Sequence, residues 1–196
     1  MYQPHFINQS KNFISGWYIS KELCQEIITS TKGSNKLKFK GQEDSGGRGY
    51  IQAYLQNLSP DLHLQYLKEL DNLFKLYWEE YPFIKEITRI PFAKVSTDSD
   101  DIKQVLVQKY LPNNYYSALH SETSGLKHNN RTLVFMTYLN SIADGGGTDW
   151  PCQDFQSRAE QGLTLLWPAN WTHPHRGIVA PVEEKYILTG WYINTK

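Results

Sequence analysis

The chain has 196 residues, a length that suits a single globular domain with a substantial core, and we expect one domain over residues 1–196. Lys plus Arg and Asp plus Glu number 20 each, so the net positive charge expected of a nucleic-acid-binding protein is missing and we expect no nucleic-acid partner. The sequence has no apolar run of about 18 residues, so we expect no membrane span.

Two cysteines are present, Cys24 and Cys152. They are far apart in the sequence, and their spacing matches neither a disulfide framework nor a zinc site. Free thiols are typical of a reducing compartment, so we expect a cytoplasmic protein.

The first predicted helix covers residues 21–32. Ser20 is a suitable N-cap, and Glu22 suits the positive end of the helix dipole. Apolar and small residues recur at helical spacing, which predicts a helix that covers one face of a sheet. Residues 33–50, rich in glycine and charge, are expected to form a mobile loop or a hairpin.

A second helix is predicted to begin at Pro60, with Ser59 as its N-cap, and to end before Pro82. One apolar face runs through this segment. The two helices place a helical and loop part at about residues 1–85, followed by a β-rich part at about residues 86–196.

The β-rich part contains seven short stretches with alternating or β-branched character. They cover residues 87–95, 102–111, 115–122, 131–139, 162–168, 176–182 and 185–193. Turn residues separate them, and no βαβ alternation is present. The pattern predicts a mainly β fold, an antiparallel sandwich or jelly roll with N-terminal buttressing helices.

Four chemically active side chains lie in two strand-like segments, one at residues 115–122 and one that starts at Trp171. His120 and Glu122 are two residues apart, as are His173 and His175, and a strand would place each pair on one face. Two imidazoles and one carboxylate are the donor set of the 2-His-1-carboxylate facial triad, which binds ferrous iron and leaves three coordination positions open. From the residues alone, either His173 or His175 could supply the second imidazole.

Lys185 lies among apolar neighbours near the end of the chain. A lysine in such a segment either extends its ammonium to the surface or needs a buried partner. A 2-oxo acid that chelated the iron would present a distal carboxylate, and Lys185 is the candidate cation for it.

These elements together resemble the 2-oxoglutarate and iron(II)-dependent dioxygenases of the prolyl 4-hydroxylase type. The resemblance covers about residues 105–193: a tyrosine before the first ligand, an H-x-D-like motif, a "YLN…GGGTDWP" segment, a histidine 55 residues after His120, and a lysine ten residues after His175. The lysine spacing favours His175 over His173. Two departures are present, since Glu122 replaces the usual aspartate and the offset from Tyr110 to His120 is one residue longer than the family pattern.

The resemblance implies a double-stranded β-helix, which is the cupin-like jelly roll, and a domain that hydroxylates a C–H bond. It implies Fe(II), 2-oxoglutarate and dioxygen as cofactor and co-substrates, and ascorbate is a further candidate. The implied site residues are, for the metal, His120, Glu122 and His175 and, for the co-substrate, Tyr110, Thr148, Lys185 and Trp191. A prolyl residue in a peptide or protein is the first expected substrate, and a small molecule is the alternative.

Several alternatives stay open at this stage. Arg176 and Tyr116 are candidate substrate contacts, although Arg176 could be an ordinary surface arginine, and residues 41–50 and 121–130 are candidate loops that close over the substrate. A non-catalytic jelly roll that binds a peptide or sugar, and a cupin-type enzyme with another divalent metal, are the rival functions. The oligomeric state is left open.

Overall fold

The structure, a computed structural model, describes residues 2–5, 12–40, 49–84, 94–95, 104–123 and 128–193. Strands in these ranges are β1 Gln3–His5, β2 Ser15–Tyr18, β3 Lys38–Lys40, β4 Tyr50–Tyr54, β5 Lys94–Val95, β6 Leu106–Tyr110, β7 Arg131–Tyr138, β8 Thr148–Trp150, β9 Phe155–Gln156, β10 Leu163–Pro168, β11 Arg176–Gly177 and β12 Lys185–Ile193. Helices are α1 Lys21–Lys32, α2 Leu55–Leu58 and α3 Pro60–Glu80, with a 3-10 turn at Pro151–Gln153. Among the described helices, none is both long and apolar enough to cross a bilayer.

Both predicted helices are confirmed, together with their capping residues. The Ser20 hydroxyl accepts a hydrogen bond from the Leu23 N–H at 3.2 Å, and the Ser59 hydroxyl accepts one from the Leu62 N–H at 3.3 Å. Pro60 occupies the first turn of α3, where a missing N–H has no cost. Local signals therefore determine where each helix starts.

The larger sheet is antiparallel in every described pairing, in the order β1-β2-β10-β7-β12-β6-β4-β3, with β5 paired to β12. The hairpin expected in residues 33–50 is represented by the β3–β4 pair; residues 41–48 lie outside the described residues. Four of the strands precede residue 85, so the N-terminal part contributes to the sheet as well as supplying helices.

A smaller sheet, in the order β11-β8-β9, faces part of the larger one, and an isolated antiparallel bridge joins His120 to His175. This two-sheet arrangement is the predicted mainly β jelly roll with helical buttresses. The strand prediction over residues 115–122 was wrong, because this segment contains no regular strand and its β-bridge to His175 is an isolated one. Of the predicted strand 176–182, only the first two residues are extended and paired. Of the predicted strand 87–95, residues 87–93 lie outside the described residues.

Alternation along β7 and β12 creates two separate cores. Leu133 and Phe135 on β7, with Leu188 on β12, pack against α1 and α3. Val134 and Met136 point the other way, into the space between the two sheets. Helices thus cover the outer face of the larger sheet, and its inner face remains available for a site.

Candidate metal centre and co-substrate pocket

The three predicted metal ligands come together in the structure. The His120 N–H donates to the His175 carbonyl at 3.1 Å, and the His175 N–H donates to the His120 carbonyl at 2.9 Å. The Glu122 N–H donates to the Ala169 carbonyl, just beyond β10, at 3.0 Å. Main-chain hydrogen bonds therefore fix all three residues, although the segment that carries His120 and Glu122 is not a regular strand.

Each imidazole is oriented by a main-chain carbonyl. Nδ1 of His120 donates to the Ala118 carbonyl at 2.9 Å, and Nδ1 of His175 donates to the His173 carbonyl at 3.0 Å. With Nδ1 engaged, Nε2 is the nitrogen of each ring that remains for a ligand. Both Nε2 atoms lie 3.4 Å from the same oxygen, Oε1 of Glu122.

The charges of this cluster depend on one another. Burial raises the pKa of the Glu122 carboxyl, but hydrogen bonds from His120 and His175 outweigh burial and hold it well below its usual range. Burial lowers the pKa of His120, but its hydrogen bond to Glu122, the negative charge of Glu122 and its main-chain contacts together outweigh burial, and the net pKa is raised. An ionised carboxylate thus faces two imidazoles across a small gap.

This donor set fits a divalent metal ion. One nitrogen from each histidine and one carboxylate oxygen all lie within 4.8 Å of one another. Two imidazoles and a carboxylate on one side of an ion match the facial triad of iron(II) oxygenases. In the part of the chain that the structure describes, no other group of three such residues is close enough to hold an ion.

A cavity of about 200 Å³ extends inward from the cluster. Its lining includes His120, Glu122 and His175 together with Lys185 of β12. The Lys185 side chain is only 4% exposed, so it does not extend to the surface. A buried cation is therefore placed in the same cavity as the candidate metal ligands.

The Lys185 ammonium has few partners. Nζ donates to the Gly146 carbonyl at 2.9 Å and lies 4.8 Å from the centroid of the Tyr110 ring. None of the described residues forms a salt bridge with it. Burial lowers the pKa of Lys185 to about 8, and an anion bound beside it would oppose that effect.

The other predicted co-substrate residues line the same cavity. Tyr110 is buried and its hydroxyl donates to Oε1 of Gln108 at 2.8 Å, while the Thr148 hydroxyl lies 2.7 Å from the Tyr138 hydroxyl. Trp191 is half-buried on β12, and its ring lines the cavity near the cluster. The geometry is compatible with hydroxyl contacts to a ligand on Lys185, and the assigned roles of these residues stay predictions.

The glycine-rich turn before Thr148 permits a close approach of two chain segments. Gly145 has φ 72°, and a Cβ atom there would lie 1.9 Å from the Val179 carbonyl oxygen. The next residue, Gly146, donates its N–H to that same carbonyl at 2.9 Å. Because the Gly146 carbonyl is the acceptor for Lys185, glycine here positions a partner of the buried ammonium.

The choice between the two histidines is resolved by their surroundings. Nε2 of His173 donates to the Asn12 carbonyl at 2.8 Å, and Nδ1 lies 2.8 Å from the Thr172 hydroxyl. Both ring nitrogens of His173 are thus used, away from the cluster. The expectation that His173 and His175 share one face was wrong, because the chain at His173 is a bend rather than a strand.

The two candidate substrate contacts differ in position. Tyr116 is 38% exposed and its ring centroid lies 4.3 Å from that of His120, at the cavity opening. Arg176 is exposed and its Nε donates to Oδ2 of Asp149 at 3.0 Å; it is outside the set of residues that line the cavity. Of the two candidate loops, residues 41–48 and residues 124–127 lie outside the described residues.

Two contributors to the site were missed in the sequence. Arg131 donates to Oε2 of Glu122 at 3.2 Å, and the Tyr138 hydroxyl lies 2.8 Å from the Ser157 hydroxyl as well as near Thr148. Arg131 lies nine residues after Glu122, and Ser157 lies 19 residues after Tyr138. Arg131 is the first residue of β7 and Tyr138 is the last. Nothing in the neighbouring sequence indicates either contact.

Solved structures to which the chain is similar include three prolyl hydroxylases. The chain resembles the viral collagen prolyl hydroxylase of Paramecium bursaria Chlorella virus-1 in its 2OG complex (16% identity, 95% of this chain and 98% of that chain, TM-score 0.61). It also resembles a Pseudomonas putida prolyl-4-hydroxylase (16%, 95% and 95%, 0.66). A third neighbour is a Trichoplax adhaerens prolyl hydroxylase in complex with a hypoxia inducible factor oxygen degradation domain peptide fragment (15%, 93% and 84%, 0.67).

No protein-family model matches the sequence, and no curated protein sequence matches it either. At 15–16% identity the similarity to solved structures establishes the fold. The prolyl 4-hydroxylase-type fold expected from the resemblance is thereby confirmed.

Proposed function

We propose that this chain is an Fe(II)- and 2-oxoglutarate-dependent dioxygenase that hydroxylates a C–H bond. The observation that carries the proposal is the presence, in one cavity, of a His-Glu-His cluster and a buried ammonium with no carboxylate partner among the described residues. A chelating 2-oxo acid with a distal carboxylate satisfies both features at once. A purely structural lysine would not need a cavity that leads to metal-binding groups.

His120, Glu122 and His175 would hold the ion, and Lys185 would pair with the distal carboxylate of 2-oxoglutarate. Tyr110 and Thr148 line the same cavity, and their hydroxyl groups would donate hydrogen bonds to that ligand, with Tyr110 exchanging its bond to Gln108 for one to the ligand. When bound, iron and 2-oxoglutarate supply the oxidative chemistry, in which 2-oxoglutarate is converted to succinate and CO2 and one oxygen atom of dioxygen enters the substrate.

The rest of the pocket would orient the co-substrate and limit water. Trp167, Met136 and Ile187 line the cavity between the sheets and are apolar or aromatic. An apolar enclosure strengthens the ion pair that Lys185 would make. The fixed imidazole orientations mean that little rearrangement is needed when the ion binds.

We further propose a prolyl residue in a peptide or protein as the substrate. The fold similarity supports this, since one neighbour is a prolyl hydroxylase in complex with a peptide fragment. In this chain, Tyr116 is exposed at the cavity opening beside His120, where a substrate side chain would have to enter.

The free thiols of Cys24 and Cys152 support a cytoplasmic location, which cell fractionation would test.

Succinate release, measured with and without Fe(II), 2-oxoglutarate and a proline-containing peptide library, tests the activity. We expect release that requires both components, is lost in His120→Ala, and is accompanied by a mass gain of one oxygen on a peptide. Matched peptides with alanine in place of proline would stay unmodified if proline is the target. Turnover that His120→Ala leaves intact would overturn the assignment, and peptide binding without any turnover would favour a non-catalytic jelly roll.

A further inference from the structure

The second oxygen of Glu122 is bound by an arginine. Nη1 of Arg131 donates to Oε2 of Glu122 at 3.2 Å and to the Glu122 main-chain carbonyl at 3.2 Å. The guanidinium lies over the indole ring of Trp191, 3.5 Å from the ring centroid. Contacts on two sides therefore define the position of this cation.

The two carboxylate oxygens of Glu122 consequently have different surroundings. Oε1 faces Nε2 of His120 and Nε2 of His175, each at 3.4 Å, whereas Oε2 faces Arg131. A carboxylate can bind a metal ion through one oxygen or through both. With Oε2 engaged by a cation, a single oxygen is directed to the space between the imidazoles.

The number of carboxylate oxygens matters for the proposed reaction. A facial triad leaves three open positions on a six-coordinate ion, and a chelating 2-oxo acid with dioxygen requires all three. A carboxylate that bound through both oxygens would occupy one of these positions. Glutamate has one more rotatable bond than aspartate, so its carboxylate can turn both oxygens toward an ion unless something holds it.

We propose that Arg131 is a positioning residue that holds Glu122 as a one-oxygen metal ligand and so keeps three coordination positions open. The inference rests on the proposed function and adds a role for a residue outside the ligand set. Trp191 supports this role because its ring holds the guanidinium in place. The substitution of glutamate for aspartate at position 122 is thus accompanied by a side chain that restricts it.

Mn(II) is a suitable probe, because it is stable in air and its bound water can be counted through the relaxation of water protons. In Arg131→Met saturated with Mn(II), we expect the water relaxation per bound ion to fall by about one-third, as one of three open positions is lost. The affinity of the Mn(II)-loaded protein for 2-oxoglutarate should fall about 10- to 100-fold. Arg158→Met, which changes an exposed arginine, is the matched control and should change neither quantity.

Glu122→Gln provides the second arm of the experiment. An amide offers one good ligand oxygen, so adding Arg131→Met to Glu122→Gln should change the water relaxation no further. Circular dichroism identifies any variant that does not fold. If Arg131→Met is unfolded, Arg131→Gln replaces it, because glutamine retains a hydrogen-bond donor without the charge. We expect the water relaxation of Arg131→Gln to be reduced as well.

Three results would overturn the proposal. The first is a folded Arg131 variant with unchanged water relaxation and unchanged 2-oxoglutarate affinity, and the second is a loss of 2-oxoglutarate affinity in the Glu122→Gln background equal to the loss in the wild-type background. The third is failure to fold with each of the two Arg131 substitutions, which would assign Arg131 to folding. A wild-type protein that bound neither Mn(II) nor 2-oxoglutarate would instead contradict the proposed function itself.

Discussion

His120 and His175 form an isolated antiparallel bridge, in which each main-chain N–H donates to the carbonyl of the other residue. Their ring centroids are 4.4 Å apart, and both Nε2 atoms face the same carboxylate oxygen. A single pair of main-chain hydrogen bonds therefore sets the spacing of two candidate metal ligands that are distant in the sequence. The ligand geometry depends on the backbone as much as on the side chains.

The three nearby histidines should behave differently on substitution. His120→Ala and His175→Ala each remove a ligand and should abolish stoichiometric Fe(II) binding, measured by metal analysis after anaerobic loading. His173→Ala leaves the cluster intact and should retain the metal. It removes buried hydrogen bonds to Asn12 and Thr172, so its free energy of unfolding should fall by about 1–3 kcal/mol. Loss of metal in His173→Ala with retention in His175→Ala would reverse the ligand assignment.

The affinity for 2-oxoglutarate should depend on the protonation of Lys185. Burial lowers its pKa to about 8, and the nearby Tyr110 stays neutral there because burial raises its pKa far above the usual value. If the carboxylate binds only the ammonium form, the affinity is constant below pH 8 and falls about tenfold per pH unit above it.

Isothermal titration of the Mn(II)-loaded protein across pH 7–10 measures this dependence. Lys185→Met should bind 2-oxoglutarate weakly, and its affinity should no longer decrease above pH 8. Lys109→Met is the matched control, since Lys109 pairs with Glu184 outside the cavity, and it should follow the wild-type curve. If the affinity of Lys185→Met depended on pH as that of the wild type does, Lys185 would not be the group that binds the co-substrate.

Two glycine-to-alanine substitutions should have opposite outcomes. Gly145→Ala places a Cβ 1.9 Å from the Val179 carbonyl oxygen, at a φ of 72°. We therefore expect the free energy of unfolding to fall by about 2–4 kcal/mol. Displacement of Gly146, the partner of Lys185, should also weaken 2-oxoglutarate binding. Gly33→Ala has no contact closer than 3.7 Å and an ordinary backbone conformation, and should be close to neutral. Urea denaturation compares the two, and a neutral Gly145→Ala would contradict the described packing of this turn.

A buried hydroxyl chain joins α3 to the sheet without reaching the cavity. The Thr137 hydroxyl lies 2.7 Å from the Tyr66 hydroxyl and 2.7 Å from the Thr164 hydroxyl. Thr137→Val leaves the fully buried Tyr66 hydroxyl without that partner and should cost about 1–3 kcal/mol, whereas Tyr66→Phe leaves the Thr137–Thr164 bond in place and should cost less. Urea denaturation gives both values, and metal affinity should be unchanged in both variants. The reverse order of stability would contradict the network.

Elements with local signals could be predicted from the sequence. Ser20 and Ser59 define the helix starts because capping depends on residues three positions away. Long apolar strands such as Lys185–Ile193 were also found in their full extent. Residues 115–122 have the same alternating pattern, but one bridge with His175 is their only described strand-like pairing. Sequence alternation reports which side chains could be buried and does not report whether a partner strand lies alongside.

The site was predicted in part for the same reason. His120, Glu122, His175 and Lys185 belong to a recurring pattern of residue types and offsets, so spacing could identify them as a set. Arg131 lies on β7, nine residues after Glu122, and this offset does not by itself predict that the two side chains are in contact. Such a contact is found only in the three-dimensional structure.

An anaerobic crystal structure with Fe(II) and 2-oxoglutarate tests the central claim most directly. We expect anomalous scattering from one iron atom bound by Nε2 of His120, Nε2 of His175 and one oxygen of Glu122, with the distal carboxylate of 2-oxoglutarate on Nζ of Lys185. Iron bound elsewhere, or 2-oxoglutarate bound away from both the ion and Lys185, would contradict the account.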